Sequence, residues 1–117
     1  MPHRVLIVDD HDGFRAAARA VLEADGFEVV GEAADGAGAM AECERVEPAV
    51  VLLDVQLPDV DGFAVAERLS RGIRPPRVVL VSSRAAGTYR RRLAVAPVVG
   101  FLPKSEFSAA TVTALLR

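Results

Sequence analysis

The chain predicts a doubly wound α/β domain built on a parallel five-stranded sheet, on three observations. Short uninterrupted apolar runs recur along it, at Val5–Val8, Val50–Leu53 and Val78–Val81. A strand covered by helices on both faces reads as such a run, with no polar alternation. Segments with apolar residues at helical spacing lie between the runs, on short connections. Each run then ends in polar residues, Asp9-Asp10, Asp54 and Ser82-Ser83, and in parallel sheets ligand chemistry collects at the carboxyl ends of the strands.

In chain order, Val5-Leu6-Ile7-Val8 is the first buried strand. Phe14, Ala17, Ala18, Val21 and Leu22 predict one face of the first helix, with Asp12 as N-cap and Gly26 as stop. Phe27–Glu32 carries acids within it and reads as an edge strand. Ala37, Met40 and Ala41 predict the inward face of a second helix closed by Pro48. Val50–Leu53 is the third strand. Its loop is punctuated by Leu57-Pro58 and Asp61-Gly62 and leads into a helix carrying Phe63, Ala66 and Leu69. After the fourth strand, Val78–Val81, a weak helix is predicted over Ala85–Ala94. Val98–Leu102 is the fifth strand, and Phe107, Ala110, Thr111, Ala114 and Leu115 form the face of a last helix N-capped by Ser105.

Composition narrows the function classes. With 117 residues the chain reads as one domain over its whole length, 1–117, large enough to bury a core. No apolar run approaches the roughly 18–20 residues of a membrane span, so no membrane partner is expected. Met1-Pro2-His3-Arg4 leads into a strand-like run without a secretory signal pattern. The single cysteine, Cys43, has no internal disulfide partner and reads as a small, half-buried helix residue. A cytoplasmic address follows. A net charge of −2 gives no reason for this chain to bind nucleic acid directly. The run Tyr89-Arg90-Arg91-Arg92 reads as a solvated helix face.

On this frame Asp9, Asp10, Asp54, Ser82 and Lys104 all follow strands, so a parallel sheet brings them to one rim. Three carboxylates at close range need a counter-charge or a raised pKa. A hard divalent cation meets that need, since Mg²⁺ takes oxygen ligands from one or two carboxylates, phosphate and water. Lys104 is the only lysine in an arginine-rich chain, which points to a compact point charge at that place.

Val8-Asp9-Asp10, Leu53-Asp54-Val55-Gln56-Leu57-Pro58 with Asp61-Gly62, Val81-Ser82-Ser83 and Gly100-Phe101-Leu102-Pro103-Lys104-Ser105 together resemble the receiver domain of bacterial two-component response regulators. Asp9-Asp10-His11 with Phe14-Arg15, and Gly31-Glu32-Ala33-Ala34-Asp35-Gly36, are similar to the LuxR/NarL-type subfamily. The resemblance implies a flavodoxin-like strand order of 2-1-3-4-5, which is carried over from the family and does not follow from the residue pattern. It implies that Asp54 accepts a phosphoryl group from a sensor histidine kinase. Asp10 and Asp54 would ligate Mg²⁺ with the backbone carbonyl of Gln56, and Asp9 would act through a bound water. Ser82 and Lys104 would contact the phosphoryl group, and Ser82 and Phe101 would carry the switch to the face of the fourth helix, fifth strand and fifth helix. It further implies a phosphoacceptor rather than an enzyme, acting in transcription regulation. DNA would be reached through a C-terminal helix-turn-helix domain absent from this chain, and homodimerisation is left open.

Two features depart from the family pattern. Pro103 precedes Lys104 where a proline usually follows it, and Arg84-Ala85-Ala86-Gly87 with Ala96-Pro97 makes the fourth helix irregular. Other classes fit less well. A haloacid-dehalogenase-type phosphatase wants Asp-x-Asp after its first strand, and here the acids are adjacent in Asp9-Asp10-His11-Asp12. A flavin carrier wants a phosphate loop rich in Ser, Thr and Gly at that place. A receiver that works as an interaction module without phosphorylation remains the nearest alternative. His3 and His11 form no ligand pair by spacing and are expected in surface or local capping roles.

Overall fold

The apolar runs become strands because both of their faces are covered. In the computed structural model, which describes residues 3–117, Val5, Ile7, Val50, Leu52, Val79 and Val81 face one core. Leu6, Val8, Val51, Leu53, Val78 and Leu80 face the other. This is the two-residue alternation of a strand with both sides apolar. Met1 and Pro2, the start of the stretch read for a signal pattern, lie outside the described residues.

The elements are β1 (Arg4–Val8), α1 (Asp12–Ala24), β2 (Glu28–Ala33), α2 (Gly36–Val46), β3 (Val50–Asp54), α3 (Gly62–Ser70), β4 (Arg77–Ser82), a 3₁₀ turn (Ala86–Tyr89), α4 (Arg90–Val95), β5 (Gly100–Pro103), a second 3₁₀ turn (Lys104–Glu106) and α5 (Ala109–Leu116). The sheet is parallel throughout, in the order β2-β1-β3-β4-β5. Residues of α1 and α5 close the first core. Residues of α2 and α3, with Tyr89 and Leu93, close the second. Among the described residues no helix is long and apolar enough to cross a membrane. Cys43 is half-buried, and burial, helped by the charge of Glu42, pushes its thiol up to about 11.

Several helix faces differ from the sequence expectation. Helix α1 buries Ala18 and Leu22 with Phe14 against them, whereas Ala17 and Val21 are exposed. Asp12 is its first helical residue, and His11 occupies the N-cap without a side-chain cap bond. Gly26 does follow the helix end, with φ +91° that a side chain would resist. Helix α2 buries Ala39 with Met40 partly covered, while Ala37 and Ala41 face out. Helix α5 starts later than expected. Ser108, not Ser105, is its N-cap and forms a reciprocal capping box with Thr111. Its buried residues are Val112 and Leu116, while Ala110 and Ala114 are exposed. Alanine stripes give little periodic contrast, so helix register is set by the larger Leu and Val side chains. Strand β5 begins at Gly100, and the segment expected as one weak helix is a 3₁₀ turn followed by six residues of α-helix.

Candidate functional site

The carboxyl ends of β1, β3, β4 and β5 bring residues from four distant parts of the chain to one rim. Asp9 follows β1 and is fully buried, Asp54 ends β3 at 2 % exposure, and Ser82 ends β4 fully buried. Lys104 follows β5 with its side chain mostly covered. Its ammonium lies 2.7 Å from Asp9 Oδ2 and 3.5 Å from Asp54 Oδ2. It also sits 4.6 Å from the centroid of the Phe14 ring, a further favourable contact for a cation. Asp10 is exposed beside them. The expected rim residues therefore come together.

The electrostatics are those of an acidic pocket with one internal cation. Burial pushes the Asp54 carboxyl above its ordinary value, and the charge of Asp9 pushes the same way. Lys104 and the N–H of Gln56, which donates to Asp54 Oδ1 at 3.3 Å, pull it back only in part. Asp9 Oδ2 is buried with no hydrogen bond among the described residues, and the Lys104 ammonium at 2.7 Å meets its charge. Ligand atoms of Asp9, Asp10, His11 and Asp54 lie within 4.8 Å of one another. Three carboxylates against a single ammonium fit a hard divalent cation such as Mg²⁺.

His11 is exposed at the N-cap position of α1, in keeping with the expected surface role, and its ring also reaches this cluster. Its backbone N–H donates to Asp9 Oδ1 at 2.8 Å, and its Nδ1 lies 3.0 Å from Asp9 Oδ1 and 3.2 Å from Asp10 Oδ1. Arg15 fixes the same loop from behind. It donates to the Asp9 carbonyl at 2.5 Å and pairs with Glu32 and Asp12. The His-after-Asp-Asp order was visible in the sequence, but spacing alone does not show that an N-cap side chain folds back on the preceding acids.

A second group missed from the sequence surrounds Ser82. Its Oγ accepts from the Arg84 N–H at 3.0 Å and shares a 3.3 Å hydrogen bond with the Tyr89 hydroxyl. The Tyr89 ring sits between Phe63, at 5.7 Å, and Phe101, at 5.8 Å between centroids. Phe101 itself is half-buried on β5, level with Leu80 of β4. Arg92 lies over Phe63 at 4.2 Å and bonds Asp61 at 2.8 Å. Burial raises the Asp61 carboxyl, but the Arg92 and Ala64 hydrogen bonds outweigh it and hold that carboxyl low.

The loop after Asp54 is held tightly. Asp59 accepts from the Gly36 and Ala37 N–H groups at 2.8 and 3.0 Å, pinning the loop to the start of α2. Asp61 caps α3 through the Ala64 N–H at 3.0 Å. A Cβ on Gly62 would collide with the Asp54 carbonyl, so only glycine lets the chain pass this close to the acid.

Comparison with known proteins gives a consistent result. The family model described as response regulator receiver domain matches residues 5–116. The transcription regulator BvgA of Bordetella pertussis is 35 % identical over 106 residues, covering 91 % of this chain and 51 % of that protein. A protein-glutamate methylesterase/protein-glutamine glutaminase of Xanthomonas campestris is 41 % identical over 113 residues, covering 93 % of this chain and 31 % of that protein. The chain thus spans about half the length of the regulator and about a third of the methylesterase. Among solved structures, the signal receiver domain of NarL from Mycobacterium tuberculosis superposes with TM-score 0.84 at 32 % identity, covering 98 % of this chain and 97 % of that one.

Proposed function

Because the chain belongs to the response regulator receiver domain family, we propose that residues 1–117 form one receiver whose Asp54 is the phosphoacceptor of a two-component system. One observation carries this reading: a single ammonium, Lys104 Nζ, set between two buried carboxylates, 2.7 Å from Asp9 and 3.5 Å from Asp54. A buried acid with a compact cation at its side suits a group that gains charge in place.

In the proposed reaction an Asp54 oxygen attacks the phosphorus of a phosphohistidine on a sensor kinase. The new O–P bond forms as the N–P bond breaks, and the leaving imidazole nitrogen takes up a proton. Asp10, Asp54 and the Gln56 carbonyl would hold Mg²⁺, with Asp9 acting through water. When bound, the ion neutralises charge on the transferring group. The chain's own residues do the positioning. Lys104 offers a positive charge to one phosphoryl oxygen, and Ser82 turns from Tyr89 to donate to another. That turn frees Tyr89 and lets Phe101 move inward, which alters the surface of α4, β5 and α5. The protein acts as an acceptor that assists its own phosphorylation and dephosphorylation, not as a turnover enzyme. Its output follows the BvgA likeness, with transcription controlled through a DNA-binding domain outside this chain, in the cytoplasm.

Incubation with acetyl phosphate and Mg²⁺, followed by mass spectrometry, tests the reading. An acid-stable, base-labile phosphoryl group on Asp54, absent from Asp54→Asn and without Mg²⁺, is expected. An unmodified chain that still engages its partner would favour the phosphorylation-independent interaction module instead.

A further inference from the structure

Resting on that reading of the pocket, we propose that His11 is a further ligand of its cation, so that the site also takes borderline divalent ions such as Ni²⁺, Co²⁺ and Zn²⁺. The imidazole is placed for it. His11 Nδ1 lies 3.0 Å from Asp9 Oδ1 and 3.2 Å from Asp10 Oδ1, between the two acids, while most of the side chain is open to solvent. Its backbone is pinned, because the His11 N–H donates to Asp9 Oδ1 at 2.8 Å. The side chain therefore samples a small region at the mouth of the pocket. It makes no cap bond to helix α1, so metal binding takes it from no structural duty there.

A second observation points inward. Asp9 Oδ2 is fully buried at the floor of the same cluster, with no hydrogen bond among the described residues and its charge met by the Lys104 ammonium at 2.7 Å. The floor thus offers carboxylate oxygens and the mouth a nitrogen. The ligand atoms of Asp9, Asp10, His11 and Asp54 lie within 4.8 Å of one another. Two ligands about 2.0–2.2 Å from one ion are at most about 4.4 Å apart, so only a small contraction is needed.

The donor set then decides which ions gain. Oxygen ligands alone favour Mg²⁺, Ca²⁺ and Mn²⁺, whereas an imidazole nitrogen favours later first-row ions. In coordinating, Nδ1 gives up any proton it carries and supplies its lone pair to the metal. Mg²⁺ loses little when the nitrogen is absent, because water replaces it readily. His11 would thus set metal choice and leave Mg²⁺ binding almost untouched. A histidine that merely pairs with Asp9 and Asp10 would affect all divalent ions alike.

Calorimetric titration of the whole chain with Mg²⁺ and with Ni²⁺, in wild type, His11→Ala and His11→Gln, separates these cases. Wild type should bind Ni²⁺ at least about tenfold more tightly than Mg²⁺. Both variants should lose about tenfold or more of the Ni²⁺ affinity, with Mg²⁺ changed by about twofold or less. A ¹⁵N-histidine spectrum during a Zn²⁺ titration gives a direct readout. The Nδ1 resonance that is missing from His11→Ala should shift, and a His3→Ala control should leave that shift intact. Equal losses for Ni²⁺ and Mg²⁺, or an unmoved imidazole resonance while Zn²⁺ binds, would overturn the role of His11 and leave the carboxylate site standing. Failure of wild type to bind any of these ions would overturn both the role of His11 and the metal reading of the pocket.

Discussion

At the scale of single residues, Asp54 is held at a cost. Its carboxyl is raised by burial and by Asp9, so in this window the folded chain binds a proton more tightly than the unfolded chain. Stability therefore falls as pH rises from the ordinary carboxylate value through the raised one, and the loss is complete above it. Asp54→Asn removes the repelled charge while Lys104 keeps its 2.7 Å contact with Asp9. Without divalent metal, the variant should unfold at higher denaturant than wild type near neutral pH, and the gap should close as pH falls below the ordinary carboxylate value. Denaturant melts at several pH values check this; a gap that persists unchanged into acid would show that repulsion is not its source. Lys104 invites a second substitution. Its ammonium touches two acids and one aromatic ring, a place shaped for a point charge. Lys104→Arg should still accept a phosphoryl group but respond poorly, because a planar fork cannot keep these contacts and also reach a third anion. The response is read as the change in hydrogen exchange over residues 86–95 on adding beryllofluoride. A wild-type response would show that charge alone suffices.

At the scale of elements, the 3₁₀ turn and α4 contain no buried residue. Side-chain clasps hold them: Tyr89 on Ser82, Phe63 and Phe101, and Arg92 on Asp61 and Phe63. Tyr89→Phe keeps the ring contacts and deletes the bond to Ser82. A neutral hydrogen bond contributes about 0.5–1.5 kcal/mol, and one at 3.3 Å belongs at the low end. The variant should therefore lose little stability, yet exchange faster over 86–95 and accept phosphate from acetyl phosphate more quickly, because Ser82 starts free of Tyr89 and keeps only the Arg84 N–H bond. Unchanged rates in both assays would remove Tyr89 from the switch. This clasp was invisible in the sequence, where Tyr89 stood beside three arginines and read as part of a solvated face. Strands, sheet class and the gathering of Asp9, Asp54, Ser82 and Lys104 were legible, because buried strands announce themselves as apolar runs and a parallel sheet sends their ends one way. Long-range pairs such as Arg92 with Asp61 carry no periodic trace. Helix faces built from Ala17 and Ala18, or Ala110 and Ala114, carry a weak one. Ser105 and Ser108 are both plausible caps, and only the intervening 3₁₀ turn, with Thr111 returning to Ser108, decides between them.

At the scale of the molecule, stability and chemistry occupy different places. The central strands β1, β3 and β4 are buried on both faces between two apolar cores, while the rim carries the charges. Amides of these strands should exchange only through global unfolding, and those of 86–95 through local opening at lower free energy. Leu52→Ala tests the division. Leu52 is 1 % exposed in the first core, so its truncation should cost about 2–5 kcal/mol. That full amount should appear in protection of the β3 and β4 amides and not in residues 86–95. A uniform loss across both would mean the outer segment opens only with the whole fold.

The order in which the rim residues are synthesised has its own consequence. Asp9 and Asp54 leave the ribosome well before Lys104, which follows the last strand. A nascent chain therefore carries both acids before it has the cation that balances them, and without β5 the edge of β4 is unpaired. The acidic pocket is electrically complete only when translation of this domain is nearly over. On the proposed role, a fragment released before residue 104 would carry the acceptor acid without the ammonium that balances it.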